Sequence, residues 1–240
     1  YGILYKEYGR VFRQMKKLIS ISDKIQNQLR QARSELKAQY EKMDRELAKA
    51  AKHIFSLLPA PFKNNEIEIS WKFVPSTRLA GDIFGYHMLN SDMLAVYIID
   101  VCGHGVGSAL HSVSVFNAIR HQSLPETDFS DPGSVLYSLN KYYQMADHNH
   151  LYFTAWYCVL NQKTMQFSYC GGGHPPLIFN TPGKDIFFVK SLNPMIGAVP
   201  DIIFKSETIT LEKDTSVYLY TDGAYEIKKP DGKMMRFEEM

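Results

Sequence analysis

Cysteine and long apolar runs are scarce in this chain, and each scarcity narrows the class of protein. The three cysteines, Cys102, Cys158 and Cys170, are an odd number in apolar or strand-like surroundings. They predict reduced thiols in a cytoplasmic protein rather than a disulfide framework. No run of 18 apolar residues occurs, so the sequence predicts no membrane span within it.

A strong charge excess is also missing, because the formal net charge is only +2. This small value argues against a dedicated nucleic-acid binder, which usually carries a basic excess. The charge is unevenly spread, with 13 Lys and Arg against 6 Asp and Glu in residues 1–60, and 14 against 19 in the rest. The two parts therefore differ in kind, and an acidic domain is what several metal-binding carboxylates would help to produce.

A signal peptide is not visible, and the sequence begins at Tyr1 rather than at a methionine. We therefore expect a piece cut from a longer protein. That protein would have room for an upstream sensor or receiver domain, or for an upstream membrane segment.

Glycine and proline are absent between Gly9 and Pro59, which permits one long helix over residues 1–58. Apolar residues recur in it at spacings of four and three: Ile25, Leu29, Ala32, Leu36 and Met43. This repeat predicts a coiled coil and a homodimer, with a single helix packed on its own domain as the alternative. The repeat shifts near Leu47, and such a shift locally unwinds a coiled coil.

Beyond Pro61 the apolar period changes from helical to alternating. Strands are predicted at 67–73, 85–88, 93–99, 151–160, 165–170, 176–180, 185–189, 202–210 and 216–220. Helices are predicted at 105–121 and from 131 onward, the first with an apolar side formed by Leu110, Val113, Val115, Phe116 and Ile119. Two helices among many antiparallel-looking strands predict an α+β domain of packed layers over residues 62–240.

Three aspartates stand next to glycines at places where extended segments begin or end. Asp82 closes a Leu-Ala-Gly-Asp run, Asp100 follows the apolar strand 93–99, and Asp222 lies in Tyr-Thr-Asp-Gly after another apolar strand. Carboxylates at the ends of buried strands, beside glycines that let the backbone approach, are typical of sites for hard divalent cations. The pattern favours metal-assisted phosphate chemistry.

Each motif has a plainer interpretation when it is taken alone. Asp100 could cap an ordinary strand-to-helix loop, or the loop could bind phosphate at a helix N-terminus, although the P-loop lysine is missing. The runs around Asp82 and Asp222 could be hairpin turns, and the first has a partial likeness to a nucleotide-cyclase motif. His104 could be a zinc ligand, but no second His or Cys stands at ligand spacing, which favours a supporting role.

Together, the order and spacing of the motifs resemble the PPM-type, metal-dependent Ser/Thr phosphatases, in their bacterial SpoIIE/RsbU-like branch. That family shows Gly-Gly-Asp, then Asp-Val-Ser-Gly-His-Gly, then Gly-His-Pro-Pro, then Tyr-Thr-Asp-Gly followed by Glu. The corresponding runs begin here at Ala80, Asp100, Gly173 and Tyr220, with Glu226 after the last. The likeness covers most of the chain beyond the long helix.

The resemblance implies an α-β-β-α sandwich, with two antiparallel sheets flanked by helices and preceded by the coiled-coil helix. It implies two Mn²⁺ or Mg²⁺ ions held by Asp82, Asp100, the backbone carbonyl of Val101 and Asp222. His104 would stand behind these ligands, and a metal-activated water would replace a protein nucleophile. The implied substrate is a phosphoserine or phosphothreonine on a protein, for example an anti-sigma-factor antagonist.

This sequence departs from the family pattern at three places. Ala80 replaces the first glycine, and Cys102 replaces a serine, which we interpret as a small buried residue and not a nucleophile. The family domain ends on a strand with an Asp-Asp pair that supplies another metal ligand, whereas this sequence stops at Met240. We therefore expect a domain that is incomplete at its C-terminus, with the completeness of the second metal site open.

Two other functions are considered. The stronger alternative is a catalytically silent phosphoprotein-binding module, and the weaker one is a nucleotide cyclase.

Overall fold

The structure, a computed structural model, describes residues 2–64, 66–75, 78–229, 232–233 and 235. The expected C-terminal incompleteness concerns residues 236–240 and what would follow them, which lie outside these ranges. The chain divides into two compact units, Tyr1–Ala50 and Ala51–Met240. None of the described helices combines the length and apolar character needed to cross a membrane.

The first element is the predicted long helix, α1 (Gly2–Leu57), and this prediction is confirmed. It ends just before Pro59, because a proline cannot donate a backbone hydrogen bond and disfavours helical geometry in the residue before it. The coiled coil itself stays a prediction. The seam residues Leu29 and Leu36 are 67% and 66% exposed, so most of each apolar side chain is open among the described residues.

The described residues beyond α1 form ten strands and two further α-helices, in the predicted α+β class. In chain order they are β1 (Phe62–Lys63), β2 (Glu68–Ile69), β3 (Asp82–Met88), β4 (Met93–Val101), α2 (Val106–Arg120), α3 (Pro132–Tyr142), β5 (Phe153–Asn161), β6 (Gln166–Gly172), β7 (Leu177–Asn180), β8 (Phe187–Val189), β9 (Glu207–Thr210) and β10 (Ser216–Tyr218). A short 3-10 helix, Asp222–Ala224, follows β10.

Eight of these strands form two antiparallel sheets, while β1 and β2 pair only with each other. The larger has the order β3-β4-β5-β6-β9, and the smaller has the order β10-β7-β8. Strands β4 and β5 are central and buried on both faces, which explains their nearly continuous apolar sequences. Their alternate residues enter two clusters: Tyr97, Ile99 and Tyr157 pack with the helices, while Ile98 and Trp156 pack toward the smaller sheet.

Helices α2 and α3 both pack on the larger sheet, which gives three layers of helix, sheet and sheet. Within the described ranges, no helix covers the outer face of the smaller sheet. The second helical layer of the expected α-β-β-α sandwich is therefore not seen in this part of the chain. The layers that are present still fix the ends of β3, β4 and β10 relative to one another.

Two local predictions were wrong. The half-buried strand expected at 67–73 is reduced to the two residues of β2. Beyond it the chain leaves the sheet, and the Trp71 indole N–H donates to the Pro59 carbonyl at 2.9 Å. Leu110, expected on the buried side of α2, is 63% exposed. Small residues such as Ser108 and Ala109 are buried instead, which lets the helix approach the sheet closely.

Gly85 offers a test of how tightly α2 and the sheet pack. An ideal Cβ at this position would lie 2.5 Å from the Tyr97 hydroxyl and 2.8 Å from a Phe116 ring carbon, both buried. We expect Gly85→Ala to lower the free energy of unfolding by about 1 to 3 kcal/mol in urea titration. Gly107→Ala is the matched control, because its Cβ would meet nothing within 4 Å. Equal stability of the two variants would contradict this packing.

Candidate active site

Asp82 and Asp100 lie directly opposite each other on neighbouring strands. Asp82 is the first residue of β3, and Asp100 is the penultimate residue of β4, and the two are partners in the antiparallel register. Both are half-buried. Directly opposed residues have their Cβ atoms about 5 Å apart, and like charges at this separation destabilise a sheet. We refer to the place where β3 begins and β4 ends as the edge of the sandwich. A positive charge bound there would offset the repulsion between the two carboxylates.

Asp222 reaches the same edge from the smaller sheet. The chain leaves β10, and the Thr221 hydroxyl donates to a carboxylate oxygen of Asp82 at 2.8 Å. Asp222 comes next and begins the short 3-10 helix, and the Glu226 amide, just beyond that helix, donates to the Asp222 carbonyl at 2.8 Å. The structure thus brings together the three aspartates that the sequence singled out, from three separate parts of the chain.

The electrostatics of Asp100 reflect this crowding. Burial is the largest cause that raises the pKa of its carboxyl to about 8, and the neighbouring charges of Asp82, Asp222 and Glu226 contribute to this rise. A carboxyl that is both desolvated and surrounded by like charges favours its protonated form. A bound cation would reverse this preference. Glu226 was not predicted as a site residue. It entered the sequence analysis only as the glutamate that follows the Tyr-Thr-Asp-Gly run.

Val101 and Gly81 complete the edge. A Cβ at Gly81 would lie 2.8 Å from the Val101 carbonyl oxygen and 3.3 Å from the Ser108 Cβ on α2. Glycine is therefore required at 81 for the backbone to pass beside the Val101 carbonyl and the helix. The Val101 carbonyl was predicted as an oxygen ligand. It follows Asp100 in the chain and lies beside Gly81, so it is close to both aspartates of this strand pair.

The loop that joins β4 to α2 carries the remaining predicted site residue. His104 is exposed and lies between Gly103 and Gly105, whose φ angles of +82° and +94° favour glycine. Its expected place behind the metal ligands stays a prediction. Cys102 is half-buried rather than buried, and its sulfur accepts a hydrogen bond from the Tyr152 amide at 3.3 Å. This contact gives Cys102 a structural role in holding the loop.

The oxygen atoms that lie at this site match the Mn²⁺ or Mg²⁺ ions that the family resemblance implies. Carboxylate and backbone carbonyl oxygens suit hard cations such as Mg²⁺ and Mn²⁺, whereas zinc sites usually include His or Cys ligands, which this set lacks. The charges of Asp82, Asp222 and Glu226 contribute, after burial, to the raised pKa of Asp100. Among the described residues, however, no three His, Cys, Asp or Glu side chains already stand in an arrangement that would hold a metal. The residues fit the ions by chemistry and charge, without forming a closed cage.

Thr154 and His174 were missed by the sequence analysis. Thr154 is the register partner of Asp100 on β5, and its hydroxyl lies 2.7 Å from Nδ1 of His174. His174 belongs to the Gly-His-Pro-Pro run, which gave no information when taken alone. The signal that could have found it is a histidine at a predicted crossover between strands. Its importance depends on non-local contacts that spacing does not reveal.

Comparison with known proteins agrees with this geometry. The family described as Stage II sporulation protein E (SpoIIE) matches residues 90–240, a range that includes Asp100 and Asp222 and begins after Asp82. The phosphoserine phosphatase RsbP of Bacillus subtilis (strain 168) is 28% identical over 183 residues, which cover 75% of this chain and 45% of RsbP. The phosphoserine phosphatase RsbU of the same organism is 28% identical over 165 residues, which cover 68% and 48%. The chain spans about half the length of these curated relatives.

Solved structures show the same fold. The SiaA-PP2C domain of Pseudomonas aeruginosa has a TM-score of 0.64 at 19% identity, with 81% of this chain and 78% of that chain covered. RsbX, solved in complex with magnesium, has a TM-score of 0.56 at 20% identity, with 68% and 78% covered. The fold, the converging aspartates and the match over residues 90–240 lead to one conclusion: the chain belongs to the SpoIIE family of PP2C-type phosphatase domains, in the branch that resembles RsbU and RsbP.

Proposed function

We propose that this domain hydrolyses phosphoserine or phosphothreonine on a protein, with two Mn²⁺ or Mg²⁺ ions at the edge formed by β3, β4 and the segment after β10. The observation that carries the proposal is the convergence of Asp82, Asp100 and Asp222 from separate parts of the chain. The names of RsbP and RsbU as phosphoserine phosphatases support the reaction, and the magnesium complex of RsbX supports the ion.

The proposed roles follow from where each group lies. Asp82, Asp100, Asp222 and the Val101 carbonyl would hold the ions, and the Thr221 hydroxyl orients the Asp82 carboxylate by donating to one of its oxygens. When bound, two such metal ions would neutralise phosphate oxygens and lower the pKa of a coordinated water. The partial burial of Asp82 and Asp100 lowers the local dielectric, which strengthens each charge interaction at the edge.

The cysteines support a mechanism without a protein nucleophile. Burial strongly raises the pKa of the Cys158 thiol and raises that of Cys170 to about 12, so neither is a thiolate at neutral pH. Cys102 uses its sulfur to hold the loop after β4. For the substrate, we infer a small regulatory phosphoprotein of the anti-sigma-factor antagonist kind in a bacterial cytoplasm, on the basis of the family resemblance.

The experiment is turnover of p-nitrophenyl phosphate and of a phosphoserine peptide, with Mn²⁺ and with EDTA. We expect hydrolysis only with the divalent ion, and we expect EDTA inhibition to be reversed by added Mn²⁺. The rival function is a phosphoprotein-binding module without activity. Phosphopeptide binding without any metal-dependent turnover would favour that rival over the phosphatase.

We also infer that α1 forms a parallel coiled-coil homodimer that connects the phosphatase to an upstream sensor or receiver domain. The support is the row of exposed apolar residues at heptad spacing, including Ile25, Leu29, Leu36 and Met43, which are 57 to 67% exposed. The shift of the repeat near Leu47 would allow two arrangements of the coiled coil, and hence a switch.

The dimer can be tested with a charge-matched pair of variants. Replacing both Leu29 and Leu36 by Asp puts charges in the seam, and we expect a monomer in light scattering at micromolar concentration. Replacing both Asn27 and Ser34 by Asp makes the same charge change on the opposite side of the helix. That control should leave the dimer mass unchanged. A dimer that survives the seam substitutions would refute the coiled-coil proposal.

A further inference from the structure

His174 occupies the crossover between the two sheets, after β6 of the larger sheet and before β7 of the smaller one. It is only 4% exposed, and both of its ring nitrogens are engaged. Nδ1 lies 2.7 Å from the Thr154 hydroxyl on β5, and Nε2 lies 3.0 Å from the Tyr220 carbonyl after β10. The ring therefore spans from the larger sheet to the segment that carries Asp222.

The partners determine which nitrogen carries the proton. A carbonyl oxygen can only accept, so Nε2 of His174 must donate to Tyr220. Burial lowers the pKa of His174 to about 4, so the ring is neutral at pH 7 and Nδ1 is an acceptor. The Thr154 hydroxyl must then donate to Nδ1. The Thr154 hydroxyl thus gives its proton to His174 and not to the side chain of Asp100, its neighbour across the strands.

These contacts continue around the edge of the sandwich. Tyr220 is followed by Thr221, whose hydroxyl donates to Asp82, and then by Asp222. A path of hydrogen bonds therefore runs from Thr154 through His174 and Tyr220 to Asp82, and the pairing of β3, β4 and β5 closes it at Thr154. Next to the ring, the Trp156 indole N–H donates to the Pro175 carbonyl at 2.7 Å and fixes the crossover backbone.

We infer that His174 is a positioning residue that holds the segment of Asp222 against Asp82 and Asp100, so that the three carboxylates face one another. The inference rests on the proposed function for its catalytic meaning, but the structural link stands on the contacts alone. Neither the proposed metal ligands nor the exposed His104 links the two sheets in this way. The chemistry at His174 is hydrogen bonding between sheets, with no proton transferred.

The test compares variants of His174 by hydrogen–deuterium exchange without added metal. His174→Phe keeps a ring but loses both hydrogen bonds, so we expect amides in residues 219–227 to exchange about tenfold faster, the effect of losing one to two bonds. His174→Gln keeps an N–H donor that can reach the Tyr220 carbonyl, so it should recover part of the protection. Unchanged exchange at 219–227 in a folded His174→Phe protein would overturn the inference.

Two further variants keep the result interpretable. Tyr157→Phe removes a buried hydrogen bond to the Phe129 carbonyl from the same strand as Thr154, away from the Asp222 segment. It should leave exchange at 219–227 unchanged, and faster exchange there would mean that general destabilisation explains the effect. If His174→Phe does not fold, Thr154→Val removes only the hydroxyl donor to Nδ1, and it should still accelerate exchange at 219–227, by less than about tenfold because Nε2 keeps its bond to the Tyr220 carbonyl. Its failure to do so would also overturn the inference.

A second readout connects His174 to the ions. By calorimetric titration with Mn²⁺, we expect His174→Phe to bind about tenfold more weakly than wild type, with partial rescue in His174→Gln. Mn²⁺ affinity equal to wild type in a variant with loosened residues 219–227 would contradict the positioning role. If wild type itself binds no Mn²⁺, the proposed function fails, while the exchange experiment still decides whether His174 holds the segment.

Discussion

Asp100→Asn is expected to lower Mn²⁺-dependent turnover of a phosphoserine peptide by more than about 100-fold. The substitution keeps the size of the side chain but removes one anionic oxygen from the place where Asp82, Asp222 and Glu226 converge. Loss of a group that only supports a metal ligand already costs 10- to 100-fold, and loss of the ligand itself should cost more. Steady-state kinetics over a range of Mn²⁺ concentrations would measure the effect.

The matched control is Asp92→Asn at the opposite end of β4. Asp92 forms an exposed ion pair with Lys163 at 2.8 Å, and such surface pairs contribute less than about 1 kcal/mol. This variant removes the same charge and should keep full activity. Asp100→Asn with activity near wild type, or equal losses in both variants, would show that Asp100 has no special role in the reaction.

The second large effect is a change in which protein melts at the higher temperature, wild type or Asp100→Asn, when Mn²⁺ is added. Without divalent ions, Asp100→Asn should melt higher than wild type, because it removes a buried carboxyl that lies opposite Asp82. With Mn²⁺ at 100 times its Kd, wild type should gain about 2.7 kcal/mol, or roughly 5 to 10 °C in Tm. Asp100→Asn should gain much less, so the order of the two proteins would invert.

Differential scanning fluorimetry in EDTA and in Mn²⁺ measures both halves of this prediction. Asp92→Asn again serves as the control, and it should follow wild type in both conditions. If wild type does not respond to Mn²⁺ while Asp100→Asn melts lower than wild type in EDTA, the carboxylates at this edge are structural. Such a result would contradict their assignment as metal ligands.

The main features of the fold were predictable from local sequence. The absence of glycine and proline between Gly9 and Pro59 predicted α1, and the continuous apolar sequence of 93–99 predicted the buried strand β4. Leu110 and the strand at 67–73 were not predictable in this way. Leu110 faces outward because Ser108 and Ala109 pack closer to the sheet, and the chain after β2 leaves the sheet. Both outcomes depend on tertiary packing, which overrides local periodicity.

The site shows the same division between local and non-local information. The position of Asp100 at the end of an apolar strand and the glycines beside Asp82 and Asp222 were visible in the sequence, and the resemblance to the phosphatase family implied that the three aspartates share one site. The register that places Asp82 opposite Asp100 depends on strand pairing, which spacing does not determine. His174 was missed for the same reason, because its two partners are 20 and 46 residues away along the chain.

The central claim is that Asp82, Asp100 and Asp222 share divalent ions at one edge of the sandwich. The most direct measurement is anomalous X-ray scattering from crystals of this domain grown with Mn²⁺. The account predicts anomalous peaks among these three carboxylates and the Val101 carbonyl, which disappear in Asp100→Asn crystals grown in the same way. Full Mn²⁺ occupancy elsewhere in the domain, with none at this edge, would contradict it.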